Sequence, residues 1–422
     1  MINIVIVIKK FKKLLYFPTA YYFRFWAQIQ LNFWKPTVVA VTGSSGKTTL
    51  LHLIESQLGN KAKYSHLANS SYGIPFNILG LKRKNLTPDE WLYLFILAPF
   101  KAFKKPPSEK IYVVEADCDR PNEGKFLASL LKPSISLWTN SSRTHTKNFD
   151  CLVSQKKFPS VEEAIAYEFG YFLQYSSDLI IVNGDNELIA KERSRSKAHL
   201  KSVTKKELDE YKILKGHTEF KINGTNYKFK VLLPKETFYS IQMTLALLEY
   251  LKIDPDRTFS KFILAPSRYS LFKGIRDTTI IDSTYNATPD GVRTILEMFG
   301  EYPAQNKWLV LGDMIELGNE EKEEHEKLAD IINSMRLDKI ILVGPRLAKY
   351  TCPKLKKAKT FLMPKDALDY LMQNIKGEET ILFKGARFLE GIIEQLLANK
   401  NDIKKLCRQE KAWKKRRKQW RL

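Results

Sequence analysis

The sequence predicts an α/β protein with a central domain of the P-loop type, built on a mostly parallel sheet, and a smaller Rossmann-like α/β domain after it. Three observations predict this fold: a glycine-rich loop separates a predicted strand from a predicted helix, short apolar strands end in polar residues, and alternation of strands and helices resumes after Pro266. The 422 residues are enough for two or three domains, and 44% hydrophobic residues are enough to bury their cores.

The first predicted elements are a buried strand at Thr37–Thr42 and a helix that begins at Gly46. The loop between them has the sequence VTGSSGKT, with Val41 where the full Walker pattern GxxxxGK[ST] has its first glycine. In such loops glycines let backbone N–H groups approach phosphates, the lysine neutralises charge, and the next hydroxyl reaches magnesium. We therefore expect a nucleotide phosphate site formed by Gly43, Ser44, Ser45, Gly46, Lys47, Thr48 and Thr49.

Polar residues follow the next two predicted strands. Ile111–Val114 is followed by Glu115, and Ile135–Trp138 is followed by Thr139 and Asn140. The carboxyl ends of parallel strands line one crevice, so these polar groups should lie at the same edge as the glycine-rich loop. A buried carboxylate without a partner is costly, which favours a ligand role for Glu115.

Further strands and helices are predicted downstream. The capping-box pattern at 160–163 predicts a helix through Phe172, Leu179–Val182 predicts a strand, and alternation around Asn223–Gly224 predicts an antiparallel hairpin. The last domain has predicted strands near Thr279–Ile281, Trp308–Leu311, Ile340–Val343 and Ile381–Phe383.

The first 36 residues form a basic, aromatic leader with six lysine or arginine residues and no acid. Its apolar run is well short of the ~20 residues that span a membrane, and the basic residues follow that run, unlike those of a signal peptide. Aromatic residues interleaved with basic ones suit a helix lying in a membrane interface. They equally suit an aromatic helix packed on the first domain.

Residues 401–422 hold ten basic residues against Asp402 and Glu410, so the two chain ends supply 14 of the 23 net positive charges. Such ends attract lipid headgroups, nucleic acid or phosphorylated substrates. Binding of RNA by KAWKKRRKQWRL is one interpretation, and a disordered basic tail is the simpler one. The four cysteines form no CxxC pair, which argues against a zinc ribbon or disulfide framework. We expect a cytoplasmic protein, and peripheral binding to the inner face of the membrane is the open alternative.

Four sequence segments together resemble the Mur ligases, especially the branch that adds D-alanyl-D-alanine to a muramoyl peptide. The segment VVEADCDRPNEG, followed by TNSSRTH, is similar to the family pattern E-x-G-x-[DN]-x-P-G-E and then T-N-I-x-x-x-H. IIDSTYNATPDG is similar to D-x-YNANPDS, and VLGDMIELGNEEKEEH is similar to LGDM-x-ELG followed by a histidine. The matches occur in the family order between about Val38 and Glu390.

This resemblance implies an ATP-dependent ligase in peptidoglycan or related cell-wall peptide synthesis. A substrate carboxylate takes the γ-phosphate of ATP, and an incoming amine then displaces phosphate from the acyl phosphate. Lys47 and two magnesium ions would supply the cations that this transfer between anions needs. The resemblance further implies that Glu115 and His145, five residues after Asn140, are metal ligands together with Thr48.

One departure from the family concerns a carbamoylated lysine that many Mur ligases place on the helix after the histidine. The family pattern puts Glu168 at that position. We predict that Glu168 replaces the carbamate as a catalytic metal ligand without carbon dioxide. A solvent-facing glutamate on an amphipathic helix is the alternative.

Family positions also occur in the last domain. Asp282 matches an acidic residue near the ribose, although Ser283 replaces a second aspartate, and Arg268 matches an arginine that binds phosphate. Glu236 and Thr237 replace the His-Asn pair that helps to hold adenine, which leaves the adenine pocket undefined. Candidate contacts to the amino substrate are Asn286, Asp313, Glu316, His325, Lys384 and Arg387.

We predict four regions: a leader at 1–36, a central ATP-binding domain at 37–265, a C-terminal α/β domain at 266–400 and a basic tail at 401–422. Standard family members begin with a domain that grips the uridine nucleotide, and we expect this chain to lack it. The donor is therefore open: a soluble muramoyl peptide, a lipid-linked peptide or a polyamino acid. A non-catalytic, ATP-gated protein that binds membrane or RNA is the third class. Retention of all four residues, Lys47, Thr48, Glu115 and His145, favours an enzyme.

Overall fold

The computed structural model describes residues 14–83 and 87–418. They divide into two compact units: Met1–Ser141 with Glu163–Val203, and Ser142–Glu162 with Thr204–Leu422. The domain limits predicted at residues 36, 265 and 400 remain predictions. Within the described ranges, no helix combines the length and the apolar character needed to cross a membrane.

Fifteen β-strands are present among the described residues, and they form three sheets. They are β1 Thr37–Thr42, β2 Ala62–Tyr64, β3 Ile111–Glu115, β4 Ile135–Trp138, β5 Leu179–Asn183, β6 His199–Val203, β7 Leu208–Leu214, β8 His217–Ile222, β9 Thr225–Phe229, β10 Ser270–Lys273, β11 Thr279–Ser283, β12 Lys307–Gly312, β13 Lys339–Val343, β14 Lys359–Phe361 and β15 Thr380–Lys384.

The α-helices of the same described ranges lie mostly between the strands. They are α1 Tyr16–Trp34, α2 Lys47–Leu58, α3 Gly73–Leu79, α4 Pro88–Ala102, α5 Glu123–Leu131, α6 Asp150–Ser154, α7 Val161–Tyr175, α8 Glu187–Glu192, α9 Thr237–Tyr250, α10 Pro289–Glu301, α11 Glu321–Ser334, α12 Pro364–Asn374, α13 Leu389–Leu396 and α14 Lys411–Lys418.

The first unit is built on a parallel sheet of six strands in the order β2-β3-β1-β4-β5-β6. Strand β1 is buried on both faces, as expected for the middle of a parallel sheet, and this explains its unbroken apolar run. Val41 is one of these buried strand residues, so the position of the missing Walker glycine belongs to the sheet. The predictions for β1, β3, β4 and β5 are confirmed.

The leader contains a helix that packs within the first unit. In α1, Ala20, Phe23 and Ala27 are fully buried, and the indole N–H of Trp34 donates a hydrogen bond to the Glu109 carbonyl at 2.7 Å. The alternative of an aromatic helix packed on the first domain is therefore confirmed for Tyr16–Trp34. The rest of the leader, residues 1–13, lies outside the described residues.

The second unit contains a six-stranded sheet in the order β10-β11-β15-β12-β13-β14, in which only β10 is antiparallel. Apolar clusters cover both faces of this sheet, with α10 and α11 on one face and α12 and α13 on the other. This three-layer arrangement confirms the Rossmann-like prediction. A separate antiparallel sheet, β7-β8-β9, contains the predicted hairpin turn at Asn223–Gly224.

The prediction that KAWKKRRKQWRL is a disordered tail is wrong for residues 411–418, and residues 419–422 lie outside the described residues. Lys411–Lys418 forms helix α14, and the guanidinium of Arg417 is buried against Glu394, with Nη1 and Oε2 2.9 Å apart. A buried ion pair fixes this end of the chain to α13 of the same unit. The prediction of disorder was based on the high charge of the segment, which does not show that Arg417 has a partner in Glu394.

Candidate active site

The glycine-rich loop connects β1 to α2 and depends on two glycines. Gly43 has φ +128°, and a Cβ atom there would lie 2.3 Å from the Thr139 hydroxyl oxygen. Gly46 has φ +82° and precedes the first turn of α2. The loop therefore brings backbone N–H groups to the N-terminus of a helix, where anions bind favourably.

Asn140 holds this loop in place from the end of β4. Its side-chain oxygen accepts a hydrogen bond from the Ser45 N–H at 2.8 Å, and its amide group donates to the Ser45 hydroxyl at 2.7 Å. The Asn140 carbonyl also accepts from the Ser44 N–H at 3.0 Å. In the structure, Asn140 thus positions the loop that the sequence identified.

Lys47, Thr48 and Glu115 lie together at the carboxyl ends of the strands, as predicted. The ammonium of Lys47 donates a hydrogen bond to the Gly43 carbonyl at 2.6 Å. The Thr48 hydroxyl donates to Glu115 Oε2 at 2.9 Å. These contacts join the first turn of α2 to the loop and to the end of β3.

Asp117 is a charged partner of Lys47 that the sequence analysis did not identify. Its Oδ2 lies 2.9 Å from Lys47 Nζ, and both side chains are almost fully buried. Burial by itself would lower the pKa of Lys47, but the carboxylates of Asp117 and Glu115 outweigh it and raise that pKa. Lys47 is therefore a firmly charged group. The sequence did contain a signal for Asp117, because this aspartate occupies the position of the glycine in the family pattern E-x-G.

The oxygen atoms of Thr48 and Glu115 suit a magnesium ion by their chemistry. Mg²⁺ prefers oxygen ligands. The Thr48 hydroxyl and the Glu115 carboxylate supply two oxygens that lie within hydrogen-bond distance of each other. The residues present therefore fit the predicted ion, and the glycine-rich loop fits the predicted phosphates.

Glu168 is buried in helix α7, so the alternative of a solvent-facing glutamate is wrong. Its two carboxylate oxygens accept hydrogen bonds from the Asn122 N–H at 2.7 Å and the Gly124 N–H at 2.9 Å. Burial raises the pKa of this carboxyl, and those backbone N–H groups partly offset the rise. Glu168 thus caps the first turn of α5. Its metal-binding role remains a prediction.

His145 belongs to the second unit, in a loop where it has φ +51°. Its Nδ1 lies 2.8 Å from Glu316 Oε2, and the hydrogen bond with His145 lowers the pKa of Glu316. The structure thus pairs two predicted site residues, a metal ligand and a substrate contact. The role of each remains a prediction.

Three motifs of the second unit meet at the carboxyl ends of β11 and β15. Lys384 Nζ lies 3.5 Å from both Ser283 Oγ and Asn286 Oδ1. Burial first, and then the charge of Arg268, lower the pKa of Lys384 to about 7. The guanidinium of Arg268 itself stacks 4.3 Å from the ring centre of Tyr285.

Asp282 is completely buried next to this lysine site. One carboxylate oxygen accepts from the Ser267 hydroxyl at 2.6 Å, and the other accepts from the Thr284 N–H at 3.0 Å and hydroxyl at 2.7 Å. Burial raises the pKa of Asp282, and these hydrogen bonds act in the opposite direction. Asp282 therefore ties the turn at Arg268 to the end of β11.

Asp313 and Arg387, both predicted substrate contacts, pair with each other. Arg387 Nε donates to Asp313 Oδ2 at 2.9 Å, and the backbone N–H groups of Arg346 and Leu347 donate to Oδ1 at 3.1 Å. Arg346, which the sequence analysis missed, also lies 3.5 Å from the same carboxylate. The buried Asp313 thus holds two partly exposed guanidinium groups close together.

His325 is a buried residue whose two ring nitrogens both face backbone groups. Nδ1 lies 2.7 Å from the Glu321 carbonyl, and Nε2 accepts from the Met314 N–H at 3.3 Å. Burial lowers the pKa of His325, which favours the neutral ring that this pattern requires. The structure shows His325 joining α11 to the loop after β12, and its predicted contact with substrate stays a prediction.

A C-terminal segment also contacts the loop that follows β11. Arg408 donates hydrogen bonds to the carbonyls of Thr284 at 3.3 Å and Tyr285 at 2.6 Å, and the Cys407 N–H donates to the Ser267 hydroxyl at 3.0 Å. Nothing in the local sequence pattern indicated this contact, because it joins residues more than 120 positions apart.

Comparison with known proteins gives two family matches along the chain. The Mur ligase middle domain matches residues 41–247, and the glutamate ligase domain of Mur ligases matches residues 267–387. Together they cover more than three quarters of the chain. The match begins at the strand before the glycine-rich loop and ends at Arg387.

Individual relatives extend over most of the chain. UDP-N-acetylmuramoyl-tripeptide--D-alanyl-D-alanine ligases from Buchnera aphidicola and Bacillus subtilis are 24% and 25% identical, over 88% and 85% of this chain and 77% and 76% of theirs. The crystal structure of the MurF ligase from Thermotoga maritima in complex with ADP has a TM-score of 0.71 at 23% identity, covering 92% of this chain and 84% of that one. This structural likeness shows the fold.

Proposed function

The chain belongs to the Mur ligase family, and on that premise we propose that it is an ATP-dependent ligase that forms an amide bond in a cell-wall peptide precursor. The observation that carries the proposal is the meeting of Lys47, Thr48 and Glu115 at the end of the parallel sheet. A non-catalytic, ATP-gated relative has no chemical need to retain all four of Lys47, Thr48, Glu115 and His145. The ligase therefore explains more of the described residues than the non-catalytic alternative.

The reaction has two steps. A carboxylate oxygen of the donor attacks the γ-phosphorus of ATP, and the bond to the β-phosphate oxygen breaks to release ADP. The nitrogen of the incoming amine then attacks the acyl carbon, the carbon–oxygen bond to phosphate breaks, and the amine loses a proton. The first step brings two anions together and the second releases an anionic phosphate, so fixed positive charge near the phosphoryl group lowers the barrier of each.

We assign the phosphate contacts to the glycine-rich loop and Lys47. The loop supplies backbone N–H groups at the N-terminus of α2, and Asn140 fixes its shape. Lys47 is kept charged by Asp117 and Glu115, so it can neutralise the phosphate oxygens as charge moves onto them. Arg268 and Asp282 are the proposed nucleotide contacts of the second unit.

Thr48 and Glu115 are the proposed ligands of one magnesium ion, and Glu168 and His145 each remain a proposed metal ligand of its own unit. Bound magnesium would polarise the phosphate oxygens and hold them in line for transfer. Glu168 already accepts two backbone hydrogen bonds, so its free lone pairs would have to serve the metal. This makes Glu115 the better supported ligand.

For the amino substrate we propose D-alanyl-D-alanine, which the names of the relatives from Buchnera aphidicola and Bacillus subtilis contain. The second unit offers paired guanidinium groups at Arg387 and Arg346, a geometry that suits the terminal carboxylate of a dipeptide. Lys384 and Asn286 are further proposed contacts, together with Glu316 and His325. The donor would be a muramoyl tripeptide, either linked to a nucleotide or to a lipid.

The experiment that tests the ligase is a phosphate-release screen with ATP and magnesium. Muramoyl tripeptide donors are paired with amino acids and dipeptides, and wild type is compared with Lys47→Ala and with Lys61→Ala, an exposed lysine on the same unit. We expect release only when both substrates are present, with at least about a hundredfold loss in Lys47→Ala and none in Lys61→Ala. Phosphate release at the same rate with and without the donor and the amine would contradict the ligase proposal.

We also propose that the protein works at the inner face of a membrane. The support is the charge distribution, since the leader and the tail hold 14 of the 23 net charges. Anionic headgroups would attract both ends. This proposal is independent of the ligase chemistry.

A further inference from the structure

Two neighbouring helices of the first unit carry large apolar side chains on their solvent side as well as on their packed side. Helix α4 has no charged residue between Trp91 and Phe100, and the only charged residue in α1 is Arg24. A helix of this type is normally covered on every side by protein or lipid. Here one side of each helix faces solvent.

The exposed side chains of these helices form the apolar platform, defined as Tyr21, Phe25 and Phe33 of α1 with Leu92, Tyr93, Ile96 and Phe100 of α4 and Phe103 just after it. Each of these side chains is between 54% and 67% exposed. With Leu14 and Leu15, they make up ten of the nineteen large hydrophobic residues exposed in the described chain. Such clustering marks an interaction site, because scattered exposed apolar residues are ordinary and patches are not.

The two helices contribute to one continuous surface. The ring of Tyr22 lies 4.9 Å from that of Phe95, and the ring of Phe103 lies 6.3 Å from those of both Trp26 and Phe33. On α4 the exposed residues recur at spacings of three and four, which places them along one face of the helix. The platform therefore extends along α4 and across to the end of α1.

Basic residues border the platform where the two helices end. Lys35 follows α1, and Lys104 and Lys105 follow Phe103; all three side chains are exposed, and Lys101 is partly exposed. The leader adds four lysines before Leu14 in the sequence. Aromatic and aliphatic side chains bordered by lysine are the composition of helices that lie in a lipid interface.

We propose that the apolar platform binds the surface of an anionic lipid bilayer. The exposed aromatic and aliphatic side chains would enter the boundary between headgroups and acyl chains, and the bordering lysines would pair with anionic headgroups. No described helix is long and apolar enough to cross the bilayer, so α1 and α4 would lie along its surface. The lysine border favours an anionic bilayer over an uncharged protein surface.

The test is vesicle flotation of the full chain. Vesicles of phosphatidylcholine alone are compared with vesicles that also contain phosphatidylglycerol, and wild type is compared with the triple variant Leu92→Gln, Ile96→Gln, Phe100→Gln. We expect wild type to bind the anionic vesicles, and the triple variant to lose at least about tenfold in affinity. Salt should weaken the binding because it screens the lysines.

A matched control replaces three exposed hydrophobic residues of the second unit, Ile263→Gln, Leu362→Gln and Met372→Gln. The control should bind vesicles within about twofold of wild type. All proteins are checked for unchanged thermal unfolding and for ATP binding, which the platform variants should retain because they leave Lys47 intact. Loss of vesicle binding is thereby separated from failure of the ligase proposal.

Two results would overturn the proposal. One is wild type that does not float with anionic vesicles, or that floats equally well after the triple substitution. The other is a concentration-dependent dimer that the triple variant abolishes while no vesicle binding occurs, which would assign the platform to a second copy of the chain.

Discussion

Lys47 is buried with a carboxylate that the family pattern does not contain, and this pair can be tested directly. Replacing Asp117 by Asn leaves the buried ammonium without its closest charge. Breaking a buried pair in this way costs about 3 to 5 kcal/mol. We expect Asp117→Asn to lower the free energy of unfolding in urea by that amount.

The exposed Asp178 of the same unit gives the control for this measurement, since Asp178→Asn removes the same charge without a buried partner. That variant should unfold within about 0.5 kcal/mol of wild type. Equal stability of the two variants would show that Lys47 does not depend on Asp117.

Two predictions concern Glu168, one about stability and one about the dependence of activity on bicarbonate. Glu168→Ala should lose about 1 to 2 kcal/mol of stability because the first turn of α5 loses its cap, and Glu168→Gln should lose less because it keeps one oxygen acceptor. If Glu168 replaces a carbamate, removal of bicarbonate should leave ligase activity unchanged. Strong rescue of activity by bicarbonate would contradict the replacement.

Lys384 makes stability depend on pH. Its pKa is about 7 in the folded protein, below the ~10.4 of an unfolded lysine, so only the unfolded state keeps the proton between these values. Stability should therefore rise as pH increases from about 7 to 10. In Lys384→Met this contribution is absent, so the variant should gain stability relative to wild type at pH 7 and lose that advantage at pH 10.

Urea unfolding at both pH values checks this, with Lys322→Met as an exposed control in the same unit. The free energy of unfolding of this control should differ from that of wild type by the same amount at both pH values. A difference between Lys384→Met and wild type that does not vary with pH would show that the buried lysine keeps an ordinary pKa.

At the scale of single residues, the sequence predicted the contacts that are local or that follow a known pattern. Lys47, Thr48 and Glu115 meet because each lies at the end of a predictable strand or the start of a predictable helix. Asp117 was missed because its partner is 70 positions away, and only the register of β1 and β3 brings them together.

Among the secondary-structure elements, the predicted strands of the two six-stranded sheets are the buried inner ones, and the hairpin strands β8 and β9 were predicted from their alternation around Asn223–Gly224. In the first unit, β1, β3, β4 and β5 are the four inner strands of the sheet, and their apolar runs are continuous. Of the unpredicted strands, β2, β6, β10 and β14 are the four outer strands of the two six-stranded sheets, and β7 is an outer strand of the three-stranded sheet. Edge strands are short and partly exposed, so they carry no continuous apolar run to identify them.

The C-terminal segment contacts the loop after β11 through Arg408. We expect this residue to hold the loop in place. Arg408→Ala removes hydrogen bonds to two carbonyls of that loop, next to Arg268 and Asn286. If Arg268 binds ATP and Asn286 binds the amino substrate, the KM for these substrates should rise on the order of tenfold. The change in kcat should be smaller, because the substitution disturbs the position of the binding residues.

Arg408→Lys should restore part of this loss, and Lys415→Ala, an exposed change in α14, should have no effect. Steady-state kinetics of the ligation reaction provides the readout. Unchanged KM in Arg408→Ala would limit the segment to a structural role.

At the scale of the whole molecule, order and spacing of motifs predicted the family better than composition did. The matches to the middle and glutamate ligase domains cover the segments that carried the resemblance. The net charge of +23 suggested several polyanions without choosing among them. A membrane-interfacial helix was one interpretation of the leader, but the contribution of α4 to the platform was not predicted, since it appears only when burial separates the covered faces of these helices from the exposed ones.

The proposed ligase transfers the γ-phosphate of ATP to a carboxylate and then replaces phosphate with an amine. A donor whose reacting carboxylate carries oxygen-18 tests this most directly, with mass spectrometry of the released phosphate. We expect one labelled oxygen in each released phosphate, with release only when the amine is present and no release by Lys47→Ala. Phosphate that carries no label while the amide forms would contradict it.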